Sequence, residues 1–286
     1  LCRFFKNPVQ SEVMGELFSA LLTQPLANGL IVFYRLLGSN MGLAIIGFSL
    51  FLRVVLTPLT KPATDNMKKI REIQPQLKKL QKKYGSDKQG YLKAQAEVYK
   101  QNGINPTAGC LPQILQLLVL IALYQAFQLL LAGHGSVPDA FNNLLYTPVK
   151  FAEGAMLNTR FLYLDVTAPD VFRVPGISFA LPGLLVILSA LVQFLSAKIS
   201  MPYVAQEEQV AKKTKGEADD MATAMQSSMI YTFPLMTLLI GVSFPSGLAL
   251  YWLVFSLFQG WQQYRSFGWG GLTPWVAKAK ALRAKA

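Results

Sequence analysis

The sequence predicts an all-α integral membrane protein, with a five-transmembrane-helix core, a cytoplasmic helical hairpin and an extracellular interfacial amphipathic helix. Composition is the first reason. Of 286 residues, 52% are hydrophobic and only 15% are charged, whereas a soluble globular domain carries about 25% charged residues. Patterning is the second. The apolar residues gather into runs near 20 residues long, the length a helix needs to cross hydrocarbon. The third is the net charge of +12, which is distributed unevenly and so sets an orientation.

The N-terminal segment, residues 1–40, holds the apolar run "LFSALLTQPLANGLIVFYRLL". Pro25, Asn28 and Gly29 interrupt it, and the piece from Pro25 to Leu37 is too short to span. With Arg35 inside it, this piece reads as an interfacial amphipathic helix, with a sixth span as the competing reading. Residues 41–60 form the first span, interrupted only by Arg53. Residues 110–132 form the second, with Pro112 near its start. Residues 176–197 form the third, 225–242 the fourth with Pro234 inside, and 247–264 the fifth. "SFPSG" leaves room only for a tight turn, so spans four and five form a hairpin.

Charge orients the spans. Residues 61–105 hold 11 Lys/Arg against 4 Asp/Glu, and the tail 265–286 holds 5 against none. Both are placed in the cytoplasm. The connection 133–175, with 3 against 4, is placed outside. The loop 198–224 is nearly balanced and falls inside by span parity. The N-terminus is then outside and the C-terminus cytoplasmic.

Within 61–105, Met67, Ile70, Ile73, Leu77, Leu80 and Tyr84 recur at helical spacing. Pro75 is expected to kink this helix and Gly85 to end it. Ser86 with Gln89 reads as a capping box for a second helix, carrying Leu92, Gln95, Val98 and Tyr99 on one face and stopping at Asn102-Gly103. The two helices should pair through these narrow stripes. Most lysines here read as a solvated face, with attraction to anionic lipid headgroups or to RNA as the functional alternative. No aromatic-interleaved nucleic-acid motif accompanies them. The tail "WVAKAKALRAKA" reads as basic, small and disordered.

Enzymatic chemistry has few residues to use. The single histidine, His134, lies in the external connection without a Cys or His cluster, so no metal site or catalytic residue is expected. HExxH, GxSxG and GxxxxGK[ST] are absent. We expect no cofactor and no enzyme. All 15 acidic residues fall outside the five spans, whereas proton-coupled transporters generally need an intramembrane carboxylate or His. Inside the spans stand Arg53 and the neutral groups Gln113, Gln116, Gln125, Gln193, Thr232 and Thr237. A Gln can simply bond neighbouring helices. Together with an Arg, the set suggests a wet cavity. Arg53 lies eight residues before Lys61, ~12 Å along a helix, which is farther than an Arg stem reaches by snorkelling.

Three ordered stretches then resemble the YidC/Oxa/Alb membrane-protein insertases, in the bacterial form without a large periplasmic domain. "MGLAIIGFSLFLRVVLTPLT" resembles that family's first core span, including its Arg. "NPTAGCLPQILQLLVLIALYQAF" resembles its second, and "FPLMTLLIGVSFPSGLALYWLVFSLFQGWQQ" its fourth and fifth. The resemblance implies a hydrophilic groove open to cytoplasm and lipid, with Arg53 at its centre and Gln116, Gln193 and Trp252 as further lining residues. It implies a chaperone-like insertase of the bacterial cell membrane, whose partners are nascent membrane proteins and the lipid bilayer. The ribosome and a Sec translocon are candidate partners, and a monomer is the expected working unit. Two other classes are compatible with the residues, a small-solute channel or carrier and a passive assembly scaffold.

Overall fold

The computed structural model describes residues 15–85, 87–105, 111–131, 137–176, 179–200 and 230–283. Helices dominate: α1 (Gly15–Leu36), α2 (Met41–Glu72), α3 (Gln74–Tyr84), α4 (Lys88–Gln101), α5 (Leu111–Leu131), α6 (Leu184–Ser200), α7 (Ile230–Gly241), α8 (Ser246–Phe267) and α9 (Thr273–Arg283). Two small antiparallel pairs lie between α5 and α6. β1 (Arg160–Phe161) pairs with β2 (Leu164–Asp165), and β3 (Val171–Phe172) with β4 (Leu181–Pro182). The α1 and α2 helices, and Pro112–Leu130 within α5, are long and apolar enough to cross a membrane; α6 and α7 are apolar but shorter. The chain is thus an all-α membrane protein in class.

The chain divides into two compact units. The first comprises 1–53, 113–187 and 239–254; the second comprises 54–112, 188–238 and 255–286.

In the first unit α1 runs unbroken through Pro25, Asn28 and Gly29, where the sequence suggested interruption. Each residue has a local reason. Pro25 follows a π-turn, Ser19–Thr23, and sits in the opening turn of the α-helical stretch, where a missing N–H costs least. Asn28 is saturated by tertiary bonds. Its Nδ2 donates to the carbonyls of Gln24 (2.7 Å) and Leu144 (2.9 Å), and its Oδ1 accepts from the Tyr146 amide (2.6 Å). Gly29 admits the Phe48 ring, since a Cβ there would lie 2.4 Å from Phe48 Cε2. Arg35 closes the far end of α1, donating to the carbonyls of Pro148, Val149 and Lys150.

The start of α6 is set by a residue outside it. Asp170 is buried, and its Oδ2 accepts from the amides of Leu185 (2.8 Å) and Val186 (3.4 Å) and from the Tyr163 hydroxyl (3.4 Å). The carboxylate meets the orphan amides and positive dipole end of α6. The third apolar run therefore becomes helical only at Leu184. The preceding residues approach α6 through the β3–β4 pair. Gly183 fits beneath Asp170, where a Cβ would fall 2.0 Å from Oδ1.

In the second unit α3 and α4 pair as a helical hairpin. Ile73, Leu77 and Ile104 form its buried core, with Ile70, Val98 and Tyr99 packed against them. Pro75 does more than kink a helix: α2 ends at Glu72, and Pro75 lies in the first turn of the new helix α3. Gly85, at φ 53°, follows α3 as the sequence suggested. The proposed Ser86 cap lies outside the described residues. Asp87 caps α4, its Oδ1 accepting from the Gly90 amide at 2.9 Å. Asn66 ties the α2 end to the hairpin exit, exchanging hydrogen bonds with the backbone of Asn105. The tail is not irregular throughout, because residues 273–283 form α9.

Candidate functional site

Arg53 sits on α2 with its side chain turned inward. It is only 7% exposed, while Leu50, Phe51, Val54 and Val55 on the same helix are each more than 40% exposed. The helix thus presents an apolar outer face and carries its cation on the other side. That arrangement follows from the 3.6-residue repeat.

Neutral polar groups from two other helices of the first unit gather near it. Gln116 on α5 is buried. Tyr251 on α8 is buried too, and its hydroxyl donates to Gln116 Oε1 at 3.2 Å. The Tyr251 hydroxyl lies close enough to the Arg53 guanidinium to interact electrostatically. Gln116 Nε2 is buried and has no hydrogen-bond partner among the described residues. One helical turn before Arg53, Ser49 is buried and spends its hydroxyl on the Ile45 carbonyl. Arg53, Gln116 and Tyr251 therefore make a polar cluster of one fixed positive charge and hydrogen-bonding groups that can donate and accept.

The other two residues singled out by sequence have contacts of their own. Trp252 follows Tyr251 by about 100° around α8. It is half-buried and packs with Phe244, at 6.4 Å between ring centroids, which in turn contacts Tyr124 at 5.1 Å. Gln193 belongs to the second unit. Its Oε1 accepts from the Thr237 hydroxyl at 2.7 Å, so it bonds α6 to α7. Tyr251 was missed by sequence reasoning. Its signal was present, since it lies in "PSGLALYW", beside the Trp252 that was chosen.

No group of three or more His, Cys, Asp or Glu residues that could hold a metal occurs among the described residues. The cluster offers electrostatic attraction and hydrogen bonding, without a nucleophile–base pair.

Helices long and apolar enough to cross a bilayer, with shorter apolar helices beside them, place the chain in the class of multi-pass membrane proteins. Residues 32–267 match the model of the 60Kd inner membrane protein family, and the chain belongs to that family, the YidC/Oxa group. Similar relatives are named membrane protein insertase YidC. One from Fusobacterium nucleatum is 31% identical over 225 residues, covering 79% of this chain and 85% of the relative. One from Enterococcus faecalis is 33% identical and covers 78% and 65%. One from Leptospira interrogans is 29% identical and covers 88% of this chain but 36% of that longer protein.

Proposed function

We propose that this chain is a membrane protein insertase. It moves hydrophilic tails of nascent membrane proteins across the bilayer and releases their apolar segments into lipid. Family membership supports the role. The observation that carries the mechanism is the inward-facing Arg53 beside Gln116 and Tyr251. A guanidinium keeps its charge in an apolar setting, and neutral donors and acceptors lower the cost of holding hydrated peptide there.

In this reading the cluster belongs to a groove open to the cytoplasm. Arg53 attracts acidic residues of an incoming tail, and the groove shortens the hydrocarbon path. The apolar segment then leaves sideways, driven by burial of its surface in lipid. No covalent step or cofactor is involved. The basic hairpin and the tail lie in the cytoplasm and the N-terminus lies outside, as the charge distribution favours. The unit works as a monomer, fed by ribosomes and, for some substrates, beside a Sec translocon.

The test is reconstitution of the full chain alone into vesicles with a single-span substrate. An insertase protects the substrate's tail from added protease. Solute flux without a substrate would favour a channel instead, and substrate binding without tail protection would favour a scaffold.

A further inference from the structure

We propose that α9 is an interfacial anchor that lies on the bilayer surface and binds anionic lipid headgroups. On this helix Trp275, Ala279 and Leu282 fall at i, i+4 and i+7, so they form one narrow stripe. The stripe is largely exposed: Trp275 is 51% and Leu282 61% exposed. Lys278 and Arg283 border it, and both are exposed. Long cationic side chains beside an apolar stripe can lay their stems on hydrocarbon and keep their charges among headgroups.

Charge specifies the occupant. From Arg265 to the last residue the sequence carries five Lys/Arg and no Asp or Glu. Such a segment complements a surface of phosphates and repels none of it. Position specifies a bilayer rather than a free polyanion. Trp275 lies beside the last turn of α6, with the Lys198 ammonium 4.1 Å from its ring centroid and the Phe194 ring 6.3 Å away. Trp261, Tyr264 and Trp269 at the end of α8 are also more than 40% exposed. Exposed Trp and Tyr at the ends of apolar helices mark the membrane–water interface. The α9 helix follows that belt by one short turn, Gly270–Leu272. It therefore starts at headgroup depth.

Docking should depend on the lipid charge. Each Lys or Arg near an anionic surface shifts the docked-to-undocked ratio about fivefold, so removing three shifts it on the order of 100-fold.

The experiment uses the full chain in phosphatidylcholine nanodiscs with and without phosphatidylglycerol. Cys2→Ser and Cys110→Ser remove the native thiols. An environment-sensitive fluorophore is placed at Ala279→Cys on the stripe, or at Ala277→Cys on the opposite face. With phosphatidylglycerol the Ala279 label should shift to the blue and be quenched by lipid-borne quenchers, while the Ala277 label stays aqueous. The shift should vanish in 1 M salt, where the screening length is ~3 Å. It should also vanish in Lys278→Gln/Lys280→Gln/Arg283→Gln. An equal signal in neutral and anionic nanodiscs would overturn the proposal. A shift that appears only when ribosomes are added would overturn it too, in favour of RNA.

Discussion

Removing the Asp170 carboxylate should loosen the start of α6 by an amount the geometry sets. Oδ2 accepts from two backbone amides and a tyrosine hydroxyl, and Leu185 and Val186 are themselves buried. In Asp170→Ala those amides lose their carboxylate acceptor with little water to replace it, while Leu185 keeps its hydrogen bond with the Tyr163 hydroxyl. A capping side chain contributes about 0.5–2 kcal/mol, and a hydrogen bond to a charged group about 1.5–3 kcal/mol. The shorter bond dominates and the longer two add little, so the loss should be about 2–3 kcal/mol. That lowers Tm by roughly 4–10 °C in a chain of this size. Asp170→Asn keeps an oxygen acceptor and should lose about half as much. Gly183→Ala should be comparably harmful, because its Cβ would fall 2.0 Å from Asp170 Oδ1. In the double variant Gly183→Ala/Asp170→Ala that clash is gone, so the two losses should fall short of additivity. Thermal unfolding in nanodiscs reads the Tm, and amide exchange at Leu185 and Val186 reads the local opening. An Asp170→Ala protein within 0.5 kcal/mol of wild type, taken as about the spread of neutral surface changes, would refute the reasoning. So would unchanged exchange at those amides.

Other changes should read out separate parts of the fold. Gly29→Ala sets a Cβ 2.4 Å from the Phe48 ring and should cost roughly 1–3 kcal/mol by overpacking, visible as a lowered Tm. Arg71→Ala removes a guanidinium that donates to the carbonyls of Ile199 and Ser200 and lies 3.8 Å from the Phe267 ring centroid; limited proteolysis should then cut the hairpin faster, with Arg71→Lys intermediate because it lacks the fork. Acid should weaken the connection at Asp165. Burial pushes its carboxyl up, but hydrogen bonds from the Thr167 hydroxyl and amide and from Thr159, with Arg160 nearby, hold it below its ordinary value of 3.8. A lowered folded value gives stability that is complete above that ordinary value and is lost as pH falls below it. Asp165→Asn should therefore flatten the acid limb of the Tm–pH curve below about pH 4.

The sequence made the helical class legible because it rests on local patterning, with charge sparse inside long apolar runs. The hairpin core of Ile73 and Leu77 was legible for the same reason. The inward turn of Arg53 is seen only in the structure, where Val54 and Val55 take the exposed side of α2. What escaped depended on partners distant in sequence. Asn28 looked like a helix breaker until Leu144 and Tyr146 supplied its hydrogen bonds. The third apolar run seemed to begin at Gly176, but the α6 start is fixed by Asp170 from an earlier turn. Tyr251 was passed over, since only its hydroxyl contact to Gln116 distinguishes it. Gln193 looked equivalent to Gln116, yet its bond to Thr237 gives it a structural use in another unit. The tail lost its apparent disorder because alanines between the lysines favour a helix.

The central claim is that the Arg53 charge draws acidic tails into the membrane. The most direct measurement is the insertion rate of a single-span substrate whose external tail is acidic or neutral, into vesicles holding wild type, Arg53→Ala or Arg53→Lys. Losing one charged contact worth about 1.5–3 kcal/mol should slow the acidic-tail substrate at least about tenfold in Arg53→Ala. Arg53→Lys should keep much of the rate, and the neutral tail should be much less sensitive to either change. Insertion of the acidic tail by Arg53→Ala at the wild-type rate would contradict the account.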